Sequence, residues 1–112
     1  MSIEFNKAEY SELRRIANEN DIFTYSTNYS YLGREYNGIS VAFTRAIANG
    51  RMLLVSVSYC ALEDVFGSNV GRFQALHKLI NLEEYVQIPL GDLLDTAGVA
   101  ETAKRLTRMF DI

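Results

Sequence analysis

The sequence has one cysteine, one proline, one histidine and no tryptophan among its 112 residues. The single cysteine, Cys60, cannot form an internal disulfide, so nothing in the chain favours an oxidising compartment. One cysteine and one histidine also exclude the standard structural zinc sets, and we expect no metal site and no cofactor. Because a lone proline argues against long irregular linkers, we expect residues 1–112 to form a single domain.

Long hydrophobic runs are missing as well. The longest spans four residues, well below the ~20 needed to cross a bilayer. The first residues contain no apolar segment of the kind that a signal peptide carries. We therefore expect a cytoplasmic protein that does not use a membrane as its partner.

Positive charge is in the minority, with 11 Lys and Arg against 14 Asp and Glu and a net charge of −3. Non-specific DNA binding depends on neutralisation of phosphates by clustered cations, so the charge balance argues against nucleic acid as the main partner. Eight of the cations are arginine, and the chain has seven tyrosines. Both residue types are enriched in contact surfaces, which favours a protein-binding function.

Three segments have the apolar periodicity of helices. The first begins at Asn6, which with Glu9 resembles a capping box, and ends near Asn20. In the second, Ser68 is predicted to cap the helix and Asn81 to end it. A final helix follows residue 96 or 97, after a short helical turn over residues 92–95. The side chains predicted to share one face are Tyr10, Leu13, Ile16 and Ala17 in the first helix, Val70, Phe73, Leu76 and Ile80 in the second, and Val99, Ala103, Leu106 and Phe110 in the last.

Alternation with a period of two predicts strands. It covers residues 22–36, then 39–44 and 53–60, and more briefly 85–88, where Pro89 predicts an edge strand or a strand end. The two central segments form a hairpin. With a three-residue loop over residues 48–50, Val41 pairs with Val57 and the apolar side chains of both strands share one face. A two-residue turn would instead pair Val41 with Ser58.

The opposite face of this hairpin is built largely of small side chains: Ala42, Ala46, Ser56 and Ser58. That pattern suits either contact with solvent or the close approach of a helix. The complete order is α-β-β-β-α-β-α with local hairpins and no βαβ crossovers. The sequence thus predicts an α+β fold, with an antiparallel sheet of three to four strands and helices packed on it.

A catalytic constellation is hard to assemble from these residues. Cys60 and His77 are the only thiol and imidazole, and Asp92 or Asp95 would have to complete the set. No family-type signature surrounds Cys60, which fits a small buried side chain at the end of a strand. We expect no catalytic residues and a protein that is not an enzyme.

Residues 67–72 place two glycines and a cation at the start of a helix, where free N–H groups can hold an anion. Ser68, Asn69 and Arg72 are the candidate anion-binding residues. The segment lacks the Lys-Ser/Thr ending of a P-loop and is not a dinucleotide fingerprint. The sequence alone favours a capped helix after a turn.

Four tyrosines and an arginine fall within residues 25–36 and form the leading candidate for a contact surface, because tyrosine and arginine dominate hot spots. Arg45 is added to this set because it occupies an apolar position of its strand. The alternative is that the aromatic side chains form part of a buried sheet face. The predicted protein-binding residues are Tyr25, Tyr29, Tyr31, Arg34, Tyr36 and Arg45.

A compact acidic domain of this kind is typical of regulators and inhibitors, including phage-type accessory proteins that block a host or defence enzyme. We therefore expect a non-enzymatic module that binds a protein partner, with a homodimer as one form of that partnership. The first alternative is single-stranded nucleic-acid binding by aromatic stacking, aided by Arg34, Arg45 and the cations of residues 104–108. The second is a small nucleotide- or anion-sensing domain or enzyme built on residues 67–72 and His77.

Overall fold

A computed structural model describes residues 4–28, 36–44, 52–61, 67–89 and 98–110. The helices are α1 (Lys7–Glu19), α2 (Ser68–Ile80) and α3 (Val99–Met109), and the strands are β1 (Ile22–Asn28), β2 (Tyr36–Thr44), β3 (Met52–Ala61) and β4 (Val86–Pro89). The strands form one antiparallel sheet in the order β1-β2-β3-β4. This is the predicted α+β fold with the predicted order of elements. The expected helical turn over residues 92–95 lies outside the described residues.

Helix α1 begins and ends where its sequence predicts. The Glu9 amide donates a 2.9 Å hydrogen bond to the Asn6 side chain, which is the expected N-cap. At the other end Asn20 is the C-cap, and its side-chain amide donates to the Ile16 carbonyl. Asp21 then takes a positive φ of 54°, which turns the chain into β1.

The central hairpin has the register that the apolar pattern predicts. Val41 lies opposite Val57, and Phe43 lies opposite Val55. Residues 45–51, which contain the proposed three-residue loop, lie outside the described residues. In the described part of the hairpin, the apolar side chains of the two strands lie opposite one another, as the pattern predicts.

The apolar face of the sheet packs against α3 and forms what we call the α3 core. Ala103 and Leu106 supply the helix side of this core. Leu106 is fully buried, and the Tyr59 hydroxyl donates a 2.6 Å hydrogen bond to the Phe110 carbonyl at the end of the helix. The buried strand residues are Ile39, Val41, Phe43, Leu53 and Val55.

The face of small side chains packs against α2, so the close-approach alternative is the correct one. A Cβ atom on Gly71 would clash with the Ser40 side chain, so only glycine allows the helix to approach this closely. The hydroxyls beneath the helix are hydrogen-bonded: Ser40 to Ser26 at 2.7 Å and Ser56 to the Glu84 carbonyl at 2.6 Å. Helix α1 packs against α2 and β1 on this side, so both faces of the sheet carry helices.

Three predicted helix details are wrong. Gly67, not Ser68, is the N-cap of α2, and its carbonyl accepts the first intrahelical bond, from the Gly71 amide. Val70 is 41% exposed because α2 contacts the sheet through the row Gly71, Ala75 and Leu79, which rotates the buried stripe away from it. Val99 in α3 is likewise 39% exposed.

Within the described residues no helix is long and apolar enough to cross a bilayer.

Candidate functional site

Strand β1 is an edge strand of the sheet, and among the described residues no strand pairs with its outer edge. It is seven residues long, with the sequence Ile-Phe-Thr-Tyr-Ser-Thr-Asn, and contains no charge, proline or glycine. Natural sheet edges are normally blunted by charged side chains, proline, bulges or shortness. Strand β1 itself carries none of these features, and no described strand occupies its outer edge.

The opposite edge is protected by two of those devices. Strand β4 has only four residues, and its last residue is Pro89, which has no N–H to donate. Its side chains are mostly exposed, including Val86. The two edges of the sheet therefore differ in how readily they accept a further strand.

The predicted tyrosine surface begins in β1. Tyr25 is half-buried, lies opposite Val41 in β2 and packs against the α3 core, as the sheet-face alternative requires. Tyr36 begins β2, although its side chain is outside the described part of the structure. Tyr29, Tyr31, Arg34 and Arg45 all lie outside the described residues. The chain leaves β1 directly into the segment that contains Tyr29 and Tyr31.

A second feature is a pocket of about 310 Å³ between α1, the start of β1 and the first turns of α2, which we call the arginine pocket. Arg14 and Asn18 line it from α1, and Asn69 and Arg72 line it from α2. Thr24 contributes from β1. None of the described residues around it is acidic, so the pocket offers cations and neutral polar groups to a ligand.

The two arginines of this pocket lack carboxylate partners within the described part of the chain. The Arg72 Nε atom is buried and makes no hydrogen bond. The Arg14 guanidinium lies 5.6 Å from the centre of the Tyr10 ring, in a cation–π contact. A buried polar atom without a partner costs about 1–3 kcal/mol, and more when the group is charged. The Arg72 Nε is therefore a donor that the described part of the protein leaves without an acceptor.

The sequence-predicted anion set overlaps this pocket only in part. Asn69 and Arg72 line it, whereas the side chain of Ser68 is outside the described residues. Sequence reasoning missed Arg14. The spacing that would have found it is Tyr10, Arg14 and Asn18, which recur every four residues and so share one side of α1.

His77 lies between two carboxylates from different elements. Its Nε2 is 3.3 Å from Glu9 Oε1 on α1, and its Nδ1 is 2.7 Å from Glu83 Oε1 after α2. The second contact is short but lacks hydrogen-bond alignment. His77 thus lies between α1 and the turn that follows α2.

The catalytic alternative receives no support from the described geometry. Cys60 lies half-buried in β3, and Asp92 and Asp95 are outside the described residues. Among the described residues no three His, Cys, Asp or Glu side chains are grouped to hold a metal ion. The cations of α3 are on the surface, where Arg105 pairs with Glu101 at 3.4 Å.

Comparison with known proteins gives no match to a family model, to a curated protein or to a solved structure.

Proposed function

We propose that this chain is a non-enzymatic protein-binding module that takes up an extended segment of a partner protein along the outer edge of β1. The observation that carries the proposal is the composition of that edge, which has seven residues without charge, proline or glycine. Such an edge presents a row of backbone donors and acceptors. A partner strand satisfies these groups by β-augmentation.

A comparison of the two edges of the sheet favours β1 over β4 as the place where a partner strand binds. A partner strand gains affinity from main-chain hydrogen bonds, and their number rises with the length of the edge. Strand β4 is four residues long and ends in Pro89. The longer edge therefore offers the larger number of bonds, and its side chains impose no charge repulsion on an incoming chain.

The tyrosine surface supplies specificity in this proposal. Tyr25 lies at the centre of β1, and Tyr29 and Tyr31 follow in the next segment. Main-chain hydrogen bonds depend little on the sequence of the partner strand. Large aromatic side chains and arginine supply the specific anchors of an interface. We assign that role to the predicted set of Tyr25, Tyr29, Tyr31, Arg34, Tyr36 and Arg45.

Site-specific photo-crosslinking tests the edge directly. A photoreactive residue placed at Thr27 in β1 is expected to capture a partner in the native host, and mass spectrometry identifies the captured protein and the joined peptide. The matched position is Gln87, exposed in the other edge strand and beside Val86. Capture at Thr27 alone supports the proposal. Capture at Gln87 alone, or at neither position, contradicts it.

Binding by the captured partner is then measured with matched variants. Thr27→Lys places a charge on the open edge and is expected to abolish binding, whereas Gln87→Lys adds the same charge to the other edge and leaves it unchanged. If the captured protein is a second copy of this chain, analytical ultracentrifugation compares dimer formation by the same two variants. Binding that survives Thr27→Lys in a folded protein overturns the proposal.

A second set of substitutions tests the anchors apart from the edge. The combined change Tyr29→Ala, Tyr31→Ala and Arg34→Ala is expected to leave the fold intact and to lose the partner, because it removes side chains assigned to the interface. Circular dichroism and thermal melting report the fold. Unfolding of this variant would show that these side chains belong to the core.

A further inference from the structure

We propose that the arginine pocket binds a small molecule that carries a phosphate monoester. The pocket lies at the start of β1, where Ile22, Phe23 and Thr24 line it, whereas Thr27, near the other end of the strand, does not. The pocket adds a ligand to the proposed protein-binding function, and the two proposals are tested at different residues.

The charges of the pocket define the class of ligand. Two guanidinium groups line one space, and no described carboxylate neutralises either of them. A phosphate monoester carries close to two negative charges at neutral pH and accepts several hydrogen bonds at once, which matches a pair of arginines. A carboxylate carries one charge and would leave the second guanidinium without a partner.

The buried Nε atom of Arg72 is a second reason to expect an anion in this pocket. This Nε is out of contact with water and lacks a hydrogen-bond partner. A guanidinium held in this way has lost part of its hydration without compensation from the protein, so an anion in the pocket gains more from it than from a fully exposed cation. This observation is independent of the position of Arg72 near a helix start.

The remaining lining groups suit an ester rather than a bare phosphate ion. Asn18, Thr24 and Asn69 offer neutral hydrogen-bonding groups, and Tyr10, Ile22 and Leu76 add apolar surface. A space of about 310 Å³ is of the size of a small-ligand pocket. We therefore expect an organic group attached to the phosphate to add to the affinity.

Calorimetric titration with phenyl phosphate, inorganic phosphate and acetate tests the proposal on the intact chain. Phenyl phosphate is expected to bind most tightly, inorganic phosphate more weakly and acetate least. Arg72→Gln and Arg14→Gln are each expected to weaken phenyl phosphate binding by at least about tenfold, because each removes charge-assisted hydrogen bonds. Arg108→Gln, an exposed site on α3, changes the net charge equally and is expected to leave affinity unchanged.

Three outcomes overturn the inference: no binding of phenyl phosphate, equal binding of acetate, or equal losses of affinity for Arg72→Gln and Arg108→Gln.

Because a misfolded variant would also fail to bind, a second measurement uses the wild-type protein. In ¹H–¹⁵N spectra, phenyl phosphate is expected to shift the amides of residues 10–18, 22–24 and 69–76. Shifts confined to α3 would contradict the proposed location. Loss of phosphate binding in Arg72→Gln with partner capture retained at Thr27 separates this site from the β1 edge.

Discussion

At the scale of single residues, the change Gly71→Ala tests the contact between α2 and the sheet. Helix propensity and packing predict opposite changes in the free energy of unfolding. Helix propensity alone would make Gly71→Ala stabilising by about 1 kcal/mol. The new methyl group would instead meet the Ser40 side chain, and overpacking of this kind typically costs about 1–3 kcal/mol. We expect a net loss of stability in urea unfolding. Gly71→Ala should cost less in a Ser40→Gly background, and an equal cost in both backgrounds would refute the contact.

Glu12 provides a residue-scale prediction about pH. Its hydrogen bonds from the Arg15 guanidinium hold the pKa of Glu12 below its ordinary value of 4.5. Because the folded pKa is depressed, the contribution to stability is present above the unfolded value and disappears as the pH falls through the folded pKa. Arg15→Gln is expected to raise the pKa of Glu12 towards 4.5 in an NMR titration. An unchanged pKa would contradict the assignment, and Arg108→Gln is the charge-matched control.

Single residues also show what the sequence predicts well and what it does not. Asn6 was predictable as a helix cap because its partner, the Glu9 amide, lies within one turn. Ser68 misled the same reasoning because α2 begins one residue earlier than predicted, with Gly67 at the N-cap and no side-chain cap bond. Arg14 escaped attention because its pocket forms only when α1, β1 and α2 come together.

At the scale of elements, a side-chain hydrogen bond joins the end of α3 to the sheet. The Tyr59 hydroxyl on β3 donates to the Phe110 carbonyl, a group that the helix itself leaves free. Tyr59→Phe is expected to cost about 0.5–1.5 kcal/mol and to speed amide exchange at the end of α3. The exposed Tyr85 gives a control, Tyr85→Phe. Equal effects of the two changes would show that the Phe110 contact is unimportant.

Elements were more predictable than their packing partners. The pairing of β2 with β3 follows from alternation, because a slip of one residue would bury serines against the apolar face. The small side chains on the other face allowed either water or a helix, and sequence alone did not decide between them. The choice depended on a row of small residues in α2, Gly71 and Ala75, that fits against them.

At the scale of the whole molecule, β1 and β2 contact helices on both faces of the sheet, α1 and α2 on one face and α3 on the other. A partner strand bound as proposed would therefore lie in the plane of the sheet, beside β1. The backbone groups that it would use are ones that no described strand occupies. We therefore expect binding at this edge to leave the three helices in place.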